Sequence, residues 1–80
     1  MITEYIQSAM KMARYEFLPN DKVYYGEIAE FKGVYASSKN LEDCREELRE
    51  VLEEWILVSV RENLEMPEIN NISLKIKRVA

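Results

Sequence analysis

Between Tyr24 and Leu41 the chain passes from an aromatic, β-type stretch through Ala29, Glu30, Phe31, Lys32 and Gly33 to a second β-type stretch. Asn40 then heads a long acidic segment. Few folds accept that order. Gly33 is free to take a positive φ and reverse the chain, and Asn40 is a strong N-cap whose side chain accepts from the first helical amides. Glu42 and Asp43 add negative charge at the positive end of the helix dipole. The helix so begun is predicted to run to about Asn63. At about 100° per residue, Leu41, Cys44, Leu48, Val51, Leu52, Trp55, Ile56 and Val58 share one face, which is predicted to lie on a sheet.

The sheet is read from alternation. Tyr15 and Phe17 flank Glu16 in a short strand, and Leu18, Pro19, Asn20, Asp21 and Lys22 form a turn in which proline and short polar side chains favour reversal. Val23 to Ile28 is the return strand, and Val34 to Ser37 is the third. Near the end of the chain, Ile72, Leu74 and Ile76 alternate with Ser73, Lys75 and Lys77, the clearest period-two pattern present. A strand reached through a long helix is most simply parallel to a neighbour by a right-handed crossover, here beside the first strand. Ahead of the sheet, Ile2, Tyr5, Ile6, Ala9, Met10 and Ala13 recur at helical spacing, giving an amphipathic helix over residues 2–14 that Thr3 can cap. The expectation is a two-layer α+β domain of order α-β-β-β-α-β, with sheet order 3-2-1-4.

Leu57 and Val60 fall outside the apolar stripe of the long helix, so a second surface must cover its latter half. Either the N-terminal helix or a neighbouring subunit can do so. At 80 residues one small core leaves little margin over the entropy of folding, which favours a homo-oligomer, a dimer or tetramer, with Leu57 and Val60 at its contact.

The net charge of -4 disfavours nucleic acid and acidic membrane surfaces and favours a basic partner. Neither a signal-peptide pattern nor an apolar run long enough to cross a bilayer occurs. The single cysteine, Cys44, falls on the apolar stripe and reads as a small buried hydrophobe, and the cytoplasm is the expected compartment. The chain has no histidine, which removes the commonest general base and metal ligand, and it has no phosphate-cradling glycine loop. No metal or cofactor is expected.

Only carboxylates remain as candidate catalysts. Glu16 and Glu27 can approach one another across neighbouring strands, but a two-metal nuclease needs acids converging from several elements. Glu42, Asp43, Glu46, Glu47, Glu50, Glu53 and Glu54 form a ridge on the long helix. It is either a solvated face laced by pairs such as Glu46 with Arg49 and Arg49 with Glu53, or an acidic docking surface. The tyrosines also admit two readings. Alternation puts Tyr24 and Tyr25 on opposite faces of the sheet, so Tyr25, Tyr35 and Lys75 are either cross-strand packing or a protein interface. The candidate partner-binding residues are therefore Tyr25, Tyr35, Glu46, Glu50, Glu53 and Lys75.

The strand Tyr24, Tyr25, Gly26, Glu27, Ile28, the turn ending Phe31, Lys32, Gly33, Val34, and the helix opening Leu41, Glu42, Asp43, Cys44 and reaching Trp55 resemble the N-terminal domain of the HicB antitoxin family, over residues 14–78. Ala29 stands where that family often has proline, and Val34 where it often has cysteine. The resemblance implies a partial ribonuclease H-like fold without nuclease activity, which binds a small basic mRNA-cleaving ribonuclease toxin of the HicA type and blocks its active site. Residues 1–80 then form a single HicB-like domain with an added N-terminal helix. Many relatives carry a C-terminal DNA-binding domain, which is not expected before Ala80. The competing expectations are a residual metal-dependent nuclease and an orphan oligomeric interaction module.

Overall fold

The structure, a computed structural model, describes residues 2–68, Ile2 by its backbone alone. The element order is α1 (Ile2–Lys11), β1 (Arg14–Leu18), β2 (Val23–Glu27), β3 (Tyr35–Ser38) and α2 (Leu41–Arg61). The strands form an antiparallel sheet in the order β1-β2-β3. That is three strands of the expected 3-2-1-4 arrangement, and the fourth, around Ile72 to Ile76, lies outside the described residues, as does Lys75.

α1 stops three residues short of the predicted Arg14. Its last turn tightens, with the Met12 amide donating to the Ala9 carbonyl at 3.0 Å and the Ala13 amide to that of Met10 at 3.2 Å. Arg14 is thereby released to pair with Glu27 in the sheet, so β1 is longer than Tyr15 to Phe17. Lys22 closes the β1–β2 turn with a φ of 53°. Across the hairpin Tyr15 faces Gly26, and a Cβ on that glycine would lie 2.8 Å from the Tyr15 ring and 3.3 Å from the Cys44 sulfur. Gly26 thus lets a ring from β1 and a thiol from α2 meet over β2.

The segment between β2 and β3 is the centre of the core. Ile28, Phe31 and Val34 are all buried, and the Ile28 amide donates to the Val34 carbonyl while those of Phe31 and Val34 donate to Ile28 and Phe31. Gly33 has a φ of 88° with open space where a Cβ would stand, so its role is conformational. Phe31 meets Trp55 edge-on at 4.9 Å and Tyr5 at 6.1 Å, joining α2 and α1 through one ring. Tyr5, Ile6 and Ala9 complete this core from α1, so the N-terminal helix does supply part of the cover that α2 needs.

On α2 the N-cap is as expected: the Asn40 side chain accepts from the Asp43 amide at 2.8 Å. Cys44, Leu48, Leu52, Ile56 and Ser59 form the buried stripe. Leu41 and Val58 are exposed rather than on the sheet. One turn beyond Leu41, Cys44 is buried and donates its thiol to the Ala36 carbonyl at 3.5 Å. Ser59 and not Val58 continues the turn-by-turn line of Leu52 and Ile56, and the predicted stripe passed over it because serine is polar. The helix ends with Asn63 at a φ of 55°, the Leu64 amide donating to Ser59 and that of Asn63 to Val60, the crossed pair of bonds typical of a left-handed C-terminal residue.

Candidate functional site

The predicted interface residues fall on two faces. Tyr15, Gly26 and Ala36 point toward α2, so Glu16, Tyr25, Glu27 and Tyr35 point to the open side of the sheet. There Tyr25 and Tyr35 approach with ring centroids 6.2 Å apart and planes inclined by 30°, and Tyr35 remains 58% exposed. The Tyr25 hydroxyl donates to Glu27 Oε2 at 3.2 Å. Desolvation raises the pKa of this phenol above the ordinary value, and the Glu27 charge and the hydrogen bond to it raise it further, since each favours the protonated form. The rings therefore pack across the strands, as one of the two readings had it, and Tyr35 still presents area to solvent.

Glu16 stands opposite Tyr25 in register, so Glu16 and Glu27 do share a face. Among the described residues no group of three or more histidine, cysteine or acidic side chains gathers to hold a metal ion. On the other side of the sheet Phe17 and Tyr24 pair at 5.1 Å, with Phe17 48% exposed beyond the reach of α2. Sequence reasoning assigned this pair no role, although its position opposite in the hairpin was readable from the turn.

Glu46, Glu50 and Glu53 lie together on the helix layer, away from Tyr25 and Tyr35. They border a groove between α1 and α2 whose α1 wall includes Ile6 and Met10. The ridge, expected as a solvated face or an acidic docking surface, borders this groove beside α1. Of the two pairs considered, Arg49 with Glu53 is present at 3.1 Å on an exposed surface, worth a few tenths of a kcal/mol. Leu57, 58% exposed, and Val60, half-buried, line the continuation of the same cleft beside Glu50 and Glu53. Residues assigned to a partner and residues assigned to self-association therefore share one surface. Ile6 and Met10 were missed, and the signal for both was the apolar stripe of α1 itself.

Tyr5 anchors the chain beyond α2. Its ring is fully buried and its hydroxyl donates to the carbonyl of Pro67, and burial raises its pKa above the ordinary phenol value. Met66 packs against the same core. No helix among the described residues is long and apolar enough to cross a membrane.

A family model described as UPF0150-like matches residues 4–67. The crystal structure of TTHA0281 from Thermus thermophilus is similar at 32% sequence identity, with a TM-score of 0.89, covering 96% of this chain and 95% of that one. No curated protein matches the chain in sequence.

Proposed function

The chain belongs to the UPF0150-like family, and from that premise we propose that it is a HicB-like antitoxin: a cytoplasmic, non-catalytic module that binds a small basic mRNA-cleaving ribonuclease of the HicA type and covers its active surface. The observation that carries this reading is the row of carboxylates on α2, Glu46 and Glu50 with Glu42 and Glu54, set beside exposed apolar side chains on a chain of net charge -4. Long-range attraction speeds encounter with a cationic protein, and apolar contact slows release. The resemblance of Tyr24 to Trp55 to the HicB pattern supplies the class of partner. A dimer or tetramer through Leu57 and Val60 would compete with a partner for the same surface.

The test is co-expression with the small basic protein encoded beside this chain, followed by co-purification at low and moderate salt and an RNA-cleavage assay. The pair is expected to be retained at both salt concentrations, with cleavage suppressed at equimolar ratio. Free cleavage in the presence of excess chain, or failure to co-purify at low salt, overturns the reading. Exposed Leu57 favours a second reading, a module that only self-associates. Sedimentation showing a stable oligomer that no cationic ribonuclease joins would replace the first reading with this one.

A further inference from the structure

The cleft between α1 and α2 has two adjoining parts, each of about 800 Å³, which share Ile6, Arg49, Glu50 and Glu53. Its apolar lining is Ile6 and Met10 from α1 and Ile56, Leu57 and Val60 from α2, with Lys11, Arg45 and Arg49 among the polar residues around them. Along the α2 rim run Glu42, Glu46, Glu50 and Glu54, four residues apart and so about 6 Å from one to the next. None of these four has an ion-pair partner among the described residues, whereas Arg49 is engaged by Glu53. From Glu42 to Leu57 the cleft is about 22 Å long, roughly four helical turns.

We infer that this cleft receives an amphipathic helix from a partner protein, with its apolar face on Ile6, Leu57 and Val60 and a row of lysine or arginine side chains against the glutamate rim. Secondary structure decides the form of the occupant. Both walls are helices whose backbone groups bond internally, so an extended segment would lay unpaired amides and carbonyls on an apolar floor, while a helix brings its own bonds satisfied. Charge decides the sign. The five glutamates outnumber the basic Lys11, Arg45 and Arg49 in the lining, so the cleft is net acidic, which repels nucleic acid and disfavours a second copy of this acidic chain. The spacing of four along the rim matches basic residues at i and i+4 on the docked helix. The inference deepens the binding reading above by naming the element of the partner, and it does not require that partner to be a ribonuclease.

The full chain, labelled with ¹⁵N, is titrated with a synthetic 16-residue peptide that places leucines at i, i+3, i+4 and i+7 and lysines along one edge. Amide shifts are expected at Ile6, Met10, Leu57 and Val60. Affinity should fall at least tenfold for Glu50→Lys with Glu54→Lys, and as much for a peptide of the same composition broken by a central proline. Circular dichroism of each variant confirms the fold. Shifts confined to Tyr25 and Tyr35, equal binding of the broken peptide, or indifference to the charge reversal overturns the inference. Two other occupants are outcomes of the same experiment. If Lys75→Glu with Lys77→Glu tightens peptide binding tenfold, the chain's own basic end competes for the cleft and a partner helix is not its occupant. If the cleft signals move with protein concentration in the absence of peptide, a second copy is seated there and the inference likewise fails. Undiminished capture of the neighbouring ribonuclease by the charge-reversed chain removes the cleft but leaves the antitoxin reading standing. Peptide binding without ribonuclease capture does the reverse.

Discussion

The two outer strands of the sheet, among the described residues, differ sharply. β3 lies under α2, with Ala36 buried and its carbonyl against the Cys44 thiol. β1 is exposed at every residue but Leu18, and the strand is held by its ladder to β2 and by side chains such as Tyr15 over Gly26. Buried apolar side chains gather at one end, where α1, the segment Ile28 to Val34 and α2 converge on Phe31. The hairpin end is a projecting ribbon with aromatics on both faces. A chain of this length concentrates its stability in one place, which leaves the other surfaces available for contact.

That contrast is most strongly tested at Phe31. Truncating a fully buried phenylalanine costs about 3–5 kcal/mol, comparable to the low end of total domain stability. Phe31→Ala is therefore expected to abolish the cooperative urea transition at 25 °C. Phe17→Ala, made in the ribbon where the ring is half-exposed, should cost about 1 kcal/mol or less and keep that transition. Equal losses in the two variants would break the comparison.

Phe31 also marks where sequence reasoning ran short. Ala29 to Gly33 reads locally as a reversal, and so it is, but the reading contains nothing about the ring that drops into the core. That placement depends on Tyr5 and Trp55, respectively 26 residues earlier and 24 later in the sequence. What was legible was local. The hairpin follows from its turn residues, and α2 from Asn40 and its periodicity. The row of Glu46, Glu50 and Glu53 was legible for the same reason, since helical spacing alone sets it. The second wall of the cleft was not, because the docking of α1 on α2 is decided by packing between elements distant in sequence. Val58 shows the opposite failure: a hydrophobic residue was placed on the buried face where geometry put Ser59.

The cap at Asn40 offers a smaller effect that sharpens the comparison. Asn40→Ala leaves the Asp43 amide without its side-chain acceptor and should cost about 1 kcal/mol. Because Cys44 in the first turn of α2 donates its thiol to the Ala36 carbonyl of β3, the loss should appear as faster hydrogen exchange at Asp43, Cys44 and Ala36. Exchange in β1 should change no more than the global stability requires. A larger change at Tyr15 and Phe17 than at Ala36 would show that the two outer strands open together.

At neutral pH the smallest effect is that of the Cys44 thiol, and it becomes visible only in alkali. Burial raises its pKa and the nearby Glu47 charge raises it further. The sign follows from which state holds the proton. An unfolded thiol ionises at about pH 8.5, whereas the folded domain keeps Cys44 protonated to higher pH, so the folded state binds more protons there. The thiol's contribution is fully present below that pH and is lost as pH rises above it. The urea midpoint of the natural chain is expected to be flat from about pH 6 to 8 and to fall above about 8.5. Cys44→Ala should begin from a lower midpoint, having lost the packing under Ala36, and should fall less steeply over the same range. Tyr5, whose raised pKa lies above that of an ordinary phenol, adds its own decline at still higher pH, and Tyr5→Phe separates the two. Parallel curves for the natural chain and Cys44→Ala would mean that the junction of α2 with β3 admits water as freely as the ribbon does, and the distinction between the two outer strands would then rest on Phe31 alone.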